Sequence, residues 1–147
     1  MSMGLDEEVR EEAGTEIVSI DEAKKKRQPF AYWEVGGRLY RMKLNTSAIC
    51  RIEDKYKCNL MGLLSRYGDL PPLNVMLTIA QGAMLPWEHG MKYERVQQLF
   101  DQYMEEGGTQ TTFLMDVIIP LYQVSGFFSA DQQESMDRRL GEVKTLM

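Results

Sequence analysis

The sequence contains little of the chemistry on which enzymes depend. Its 147 residues include one histidine, His89, and two cysteines, Cys50 and Cys58. General acid–base catalysis needs a second group that orients the histidine, and His89 stands alone in a loop-like run that ends at Gly90. No serine occupies a nucleophile elbow, and no glycine-rich segment has the spacing of a phosphate-binding or dinucleotide-binding loop. We therefore expect a protein that is not an enzyme, with no catalytic residue and no cofactor.

Metal ligands are also too few and wrongly spaced. Two cysteines and one histidine do not form a zinc site unless carboxylates join them in a matching pattern, so no metal is predicted. On one continuous helix Cys50 and Cys58 would lie about 12 Å apart along the axis, which is too far for a disulfide. We expect both to be buried or half-buried apolar side chains in a reducing compartment. Glu88 and Glu94 are interpreted as carboxylates on a solvated helix surface, not as a catalytic pair.

Features of membrane and nucleic-acid partners are missing as well. No apolar run approaches the roughly 18 residues that a membrane-spanning helix needs, and the first residues lack the basic start and apolar core of a signal peptide. The net charge is -5, and basic residues cluster only at residues 24–27. A surface that binds phosphates needs clustered lysines and arginines. We therefore expect a cytoplasmic protein that binds neither membrane nor nucleic acid.

A small DNA-binding regulator is the least favoured alternative. The third and fourth predicted helices could resemble a helix–turn–helix. The polar surface of the fourth helix mixes Lys92 and Arg95 with Glu94 and Asp101. Recognition helices instead present a row of side chains that read base edges. This mixture of charges argues against the regulator.

Composition divides the chain into three parts. Residues 1–28 are rich in charge and contain no aromatic residue, which predicts a disordered N-terminal tail. Within this tail, residues 17–20 form a short apolar segment that could dock on the domain. Residues 29–129 are predicted to form the folded domain. Residues 130–147 are predicted to form a C-terminal helix or tail with few apolar contacts to hold it in place.

The strongest strand signal lies at the start of the domain. Aromatic and β-branched residues flank Gly36 and Gly37, a pair that tolerates the positive φ angles of a tight hairpin turn. Alternation directs Tyr40, Met42 and Leu44 toward the core. A hairpin alone is only marginally stable, so it must pack on other elements.

The rest of the domain is predicted to be helical. Capping residues, starting with Asn45, and breakers divide it into about five short amphipathic helices, one of them at 73–84 and another at about 92–106. Pro120 falls inside the next helix and predicts a kink after Asp116. Ser129 and Gln132 form a capping box for a last helix. The predicted fold is α+β and mainly α: an N-terminal antiparallel β-hairpin packed on a small helical bundle.

Large apolar residues near loops are the best candidates for a binding surface. The chain contains 11 methionines, and methionine is common on surfaces that accept varied partners. The alternative interpretation is that these residues close the ends of the core. The functional interpretation is a surface for an amphipathic partner segment, formed by six residues: Met61, Leu64, Leu85, Trp87, Phe127 and Phe128.

The order of elements over residues 29–129 resembles the tail assembly chaperones of siphophages and prophages of Gram-positive bacteria. The region that resembles these chaperones follows an acidic tail. Five pieces of its sequence carry the resemblance: the hairpin at 32–44, Ile52-Glu53, residues 62–64, the run 100–103 that leads to Gly107-Gly108, and the ending at 125–128.

The resemblance implies a role in virus assembly without catalysis. Such chaperones bind the long, aggregation-prone tape measure protein and keep it soluble while tail tube subunits polymerise around it. They act in the cytoplasm of the host cell and are not expected in the mature virion. The resemblance leaves open whether the protein also contacts the tail tube protein and whether it forms homo-oligomers. A different tail morphogenesis protein, such as a tail completion or minor tail protein, is the main alternative and would remain in the virion. The family supplies no binding motif, so the six candidate residues rest on exposed-apolar reasoning alone.

Overall fold

A β-hairpin opens the folded part of the chain. The structure is a computed structural model that describes residues 29–146, so the predicted tail at 1–28 lies outside the described residues. Strand β1 (Ala31–Val35) pairs antiparallel with β2 (Arg38–Met42), and Val35 lies opposite Arg38. Gly36 and Gly37 connect the strands with φ angles of 62° and 78°. Two positive φ angles in succession are typical of a type I′ turn, as the Gly-Gly pair predicted.

Six helices follow the hairpin within residues 29–146, which confirms the predicted α+β, mainly α fold. Among these helices none is long and apolar enough to cross a bilayer. They are α1 (Thr46–Tyr56), α2 (Leu60–Arg66), α3 (Leu73–Met84), α4 (Tyr93–Glu105), α5 (Gln110–Phe113, Leu114–Ile118 and Ile119–Val124 in succession) and α6 (Ala130–Leu146).

Side-chain caps begin several of these helices, and the cap at Asn45 was predicted from the sequence. The Asn45 side chain accepts a hydrogen bond from the backbone N–H of Ala48, and the Asn59 side chain accepts one from Gly62. These bonds satisfy amide groups that have no partner inside the helix. The capping box of Ser129 and Gln132 is formed before α6. That helix extends to Leu146, within the segment 130–147 that was predicted to be a helix or tail.

Helix α5 is irregular near Pro120, but it is not interrupted. Its middle section, Leu114–Ile118, is a π-helical turn in which the N–H of Ile119 donates to the carbonyl of Leu114. Pro120 has no N–H and sits in the first turn of the section that follows, where a missing donor is tolerated. The predicted disturbance is therefore a widened turn.

Aromatic rings form the centre of the core. The ring centroids of Trp33 and Phe113 are 4.9 Å apart, and those of Phe100 and Phe113 are 5.2 Å apart. Tyr103 packs edge-on against Trp33 at 5.8 Å. Such tilted and edge-on arrangements add to the free energy gained from burial. The cluster joins β1, α4 and α5 into one core.

The structure corrects the interpretation of Glu88. This residue is 7% exposed, in the loop between α3 and α4, and does not lie on a solvated helix surface. One carboxylate oxygen accepts hydrogen bonds from the backbone N–H of Arg41, at 2.8 Å, and from its Nε, at 3.2 Å. The other oxygen accepts one from Arg38 at 3.0 Å. Burial raises the pKa of the Glu88 carboxyl, but the hydrogen bonds from Arg41 and the charges of both arginines outweigh this effect, so the pKa is lowered.

Further polar contacts hold the end of the hairpin against the helices. The N–H of Lys43 donates to the carbonyl of Ala83 at 3.0 Å, and Nε1 of Trp87 donates to the carbonyl of Lys43 at 3.0 Å. The N–H of Leu44 donates to the hydroxyl of Ser125 at 2.9 Å. The hairpin is thereby bonded to α3, to the loop after it and to the end of α5.

One of the two cysteines is less buried than predicted. Cys50 is exposed and Cys58 is half-buried. They do not share a helix, because Lys57 adopts a left-handed conformation with φ 58° and ends α1 between them. The prediction of burial was therefore wrong for Cys50, which occupies the polar face of α1.

We predict that Glu88→Gln lowers the free energy of unfolding by about 1–3 kcal/mol at neutral pH, because a neutral amide accepts weaker hydrogen bonds from the arginines. The lowered pKa means that the carboxylate stabilises the fold above its ordinary pKa of about 4.3 and that this contribution disappears as pH falls through the folded-state pKa. In urea unfolding, the free energies of unfolding of the two proteins should therefore become equal as pH is lowered. Glu94→Gln, at an exposed position, is the matched control and should change stability by less than about 0.5 kcal/mol.

Candidate partner-binding groove

A shallow apolar groove lies between α2 and α5. Its volume is about 290 Å³. Ser65, Gly68, Asp69 and Pro71 form part of its wall. Six large apolar or aromatic side chains supply the rest: Met61, Leu64, Leu114, Ile119, Tyr122 and Phe128.

Helix α2 supplies its two groove residues because of how it is anchored. Leu60 and Leu63 are fully buried in the core. Met61 and Leu64 each follow a buried residue by one position, so they lie on the side of the helix that faces the groove. Met61 is 43% exposed and Leu64 is half-buried. The short helix thus places one pair of leucines in the core and offers a methionine and a leucine to solvent.

The π-helical turn of α5 shapes the opposite wall. Leu114 and Ile119 are five residues apart, and both line the groove. In a regular α-helix residues at this spacing do not share a face, whereas a π-helical turn brings them together. The 3.6-residue periodicity of the sequence gave no signal for this pair. Pro120 was the one indication that the helix would be irregular here.

The residues after α5 fold back over the same region. Gly126 has a φ of +91°, a conformation that reverses the chain at the end of the helix. The ring of Phe127 lies 4.8 Å from that of Tyr122, and Phe128 lines the groove itself. Both phenylalanines are half-buried and pack on the core.

Leu85 and Trp87 lie elsewhere. Both belong to the loop between α3 and α4, beside the hairpin, and Leu85 is 39% exposed. Trp87 packs on Phe30 with ring centroids 5.0 Å apart and donates its indole hydrogen to Lys43. Of the six predicted residues, three therefore line the groove, Phe127 packs beside it on Tyr122, and two belong to a loop that helps to hold the hairpin.

The groove offers apolar contact and little charge. Asp69 is the one formally charged side chain in its described lining. The hydroxyl of Tyr122 donates to the carbonyl of Leu60 at 3.0 Å, and burial raises the pKa of this phenol. Within residues 29–146 no three His, Cys, Asp or Glu side chains lie close enough to hold a metal ion. The arrangement is able to bury apolar side chains of a partner.

We predict that Tyr122→Phe lowers the free energy of unfolding by about 1–3 kcal/mol, because the carbonyl of Leu60 loses its buried donor. The raised pKa means that the tyrosine contributes fully below its ordinary pKa of about 10 and loses this contribution as pH rises further. Chemical denaturation should show a constant difference between the two proteins at neutral pH and a shrinking one as pH rises above about 10. Tyr32→Phe, at a side chain that is 46% exposed, is the control. An equal loss in both variants would contradict the assignment.

The comparisons with known proteins give one match. The sequence profile of a family of unknown function, DUF6096, matches residues 31–144, which is most of the chain and includes every element from β1 through most of α6. No curated protein and no solved structure gives a significant match. The matched segment contains both walls of the groove. The chain belongs to the family of unknown function DUF6096.

Proposed function

We propose that this protein is a non-enzymatic tail assembly chaperone of a phage or prophage, which binds the tape measure protein through the groove between α2 and α5. In this role it keeps the tape measure protein soluble in the host cytoplasm while the tail tube assembles, and it is absent from the finished virion. The observation that carries the proposal is an exposed apolar groove with methionine at its rim on a chain with a net charge of -5.

The dimensions of the groove suit part of a helix. Small-molecule sites occupy about 300–1,000 Å³, and the volume of this groove lies just below that range. A space of this size accommodates a few side chains from one face of an amphipathic helix. Recognition of that kind uses anchors at i, i+3, i+4 and i+7.

The lining residues suit a client that must later be released. Met61 has three rotatable bonds in its side chain, which lets it adapt to different apolar anchors along a long helix. Phe128 lies two residues after Gly126, outside any regular helix. Adaptable contacts over a small apolar area favour modest affinity, and the negative net charge keeps the complex in solution.

The order of sequence elements adds independent support. The resemblance to tail assembly chaperones covers residues 29–129, and the groove residues from Met61 to Phe128 fall inside that span. Nothing in the proposed role requires a catalytic step or a cofactor.

We predict that Met61→Lys weakens binding to a tape measure segment by about tenfold or more, because a charge at the rim must lose its water when the apolar partner docks. Met104→Lys is the matched control: Met104 is 45% exposed, against 43% for Met61, but lies on α4 away from the groove. Co-expression of each variant with the tape measure protein, followed by measurement of its soluble fraction and by calorimetric titration, provides the comparison.

Several outcomes would contradict the proposal. Unchanged solubility of the tape measure protein when the wild-type chain is present would remove the chaperone role. Equal effects of the two lysine variants would move binding away from the groove. Detection of the protein in purified virions would favour the alternative of a tail completion or minor tail protein.

A further inference from the structure

The two outer edges of the hairpin differ in their backbone hydrogen bonding. In an antiparallel pair, alternate residues direct their backbone N–H and C=O groups away from the partner strand. On the β2 side these outward groups are engaged: the N–H of Arg41 donates to Glu88 at 2.8 Å, and the N–H of Lys43 donates to Ala83 at 3.0 Å. The β2 edge is thus bonded to α3 and the following loop.

The β1 edge has no such partners in the part of the chain that the structure describes. Val35 and Arg38 close the type I′ turn, so the outward-facing residues of β1 are Tyr32 and Glu34. No group among residues 29–146 donates to or accepts from their backbone on that side. Both residues are exposed. An open strand edge presents unpaired donors and acceptors to which another extended segment can add.

The outer face of the hairpin is also apolar for an exposed surface. Tyr32 is 46% exposed and Leu39 is 57% exposed, and the register places them in adjacent pairs on the same face. The side chains of an added strand would lie beside Tyr32 and reduce its exposure. Backbone and side-chain features therefore point to the same edge.

We propose that residues 15–20 of this chain add to the β1 edge as a third, antiparallel strand. The sequence of this segment is Thr-Glu-Ile-Val-Ser-Ile, in which four of the six residues are β-branched. Such residues favour strands. Within residues 1–28, no other stretch of six residues contains as many β-branched side chains.

Chain length selects the direction of pairing. The ten residues 21–30 connect this segment to β1. A parallel strand needs a crossover of a dozen or more residues, whereas an antiparallel strand needs only a loop. A connection of ten residues can span up to about 33–36 Å, and neighbouring strands lie about 4.8 Å apart. The connection therefore allows antiparallel pairing without strain.

Tethering favours this occupant over any separate molecule. A short flexible connection gives an effective concentration on the order of millimolar at the edge. A strand from a second copy or from another protein would need a comparable free concentration to compete. The tail also protects the edge from pairing between molecules, which is the usual hazard of an unpaired strand.

Amide hydrogen exchange measured by NMR on the full chain tests this proposal. The N–H groups of Tyr32 and Glu34 should exchange slowly in the wild-type protein, because the added strand bonds them. Val18→Pro removes a donor and disrupts the strand, so it should speed exchange at one or both sites by about tenfold or more. Ala23→Pro, in the connection, is the matched control and should leave exchange unchanged. The amides of Arg41 and Lys43 report in every sample that the hairpin remains folded.

Three results would overturn the proposal. The first is fast exchange of both β1 amides in the wild-type chain. The second is slow exchange that Val18→Pro does not alter, which would assign the edge to another segment. The third is protection that depends on protein concentration, which would identify a second copy as the occupant.

Discussion

The buried carboxylate of Glu88 holds the hairpin in place, and the rest of the architecture depends on this attachment. A two-stranded hairpin is marginal in water and has no sheet to join. Glu88 bonds the backbone and side chain of Arg41 and also the side chain of Arg38. This attachment directs the face of the hairpin that carries Trp33 toward the helices. The cost of burying the carboxylate is offset by three hydrogen bonds and two cationic partners, an arrangement that is stable only when all of its members are present.

The same orientation determines where the groove can form. Trp33 contacts Phe113 in the first section of α5, and the π-helical turn that follows directs Leu114 and Ile119 to the opposite side. Tyr122 then connects α5 to α2 through the carbonyl of Leu60. The groove is thus bounded by elements that the core already holds in position. This suits the proposed role, in which the surface accepts and releases a partner while the domain stays folded.

Much of the fold could be predicted from local sequence chemistry. The Gly36-Gly37 turn, the Asn45 cap and the bounds of α3 depend on neighbouring residues, and the structure confirms them. The burial of Glu88 could not be predicted, because its arginine partners lie 47 and 50 residues away in the sequence.

The site was harder to predict for the same reason. Met61, Leu64 and Phe128 meet at one groove, whereas Leu85 and Trp87 lie at the loop between α3 and α4. Apolar character near loops does not distinguish a residue that binds a partner from one that packs on the hairpin. The π-helical pairing of Leu114 with Ile119 depends on the backbone and leaves no periodic signal.

Photo-crosslinking from the groove tests whether this surface holds a long helical client during virus assembly. A photoreactive amino acid in place of Leu64 would be irradiated in cells that produce the virus, with the same replacement at Met104 as a surface control. If the groove binds the client, position 64 crosslinks to the tape measure protein before tails are complete and position 104 does not. Crosslinks to a different protein, or equal yields from both positions, would contradict it.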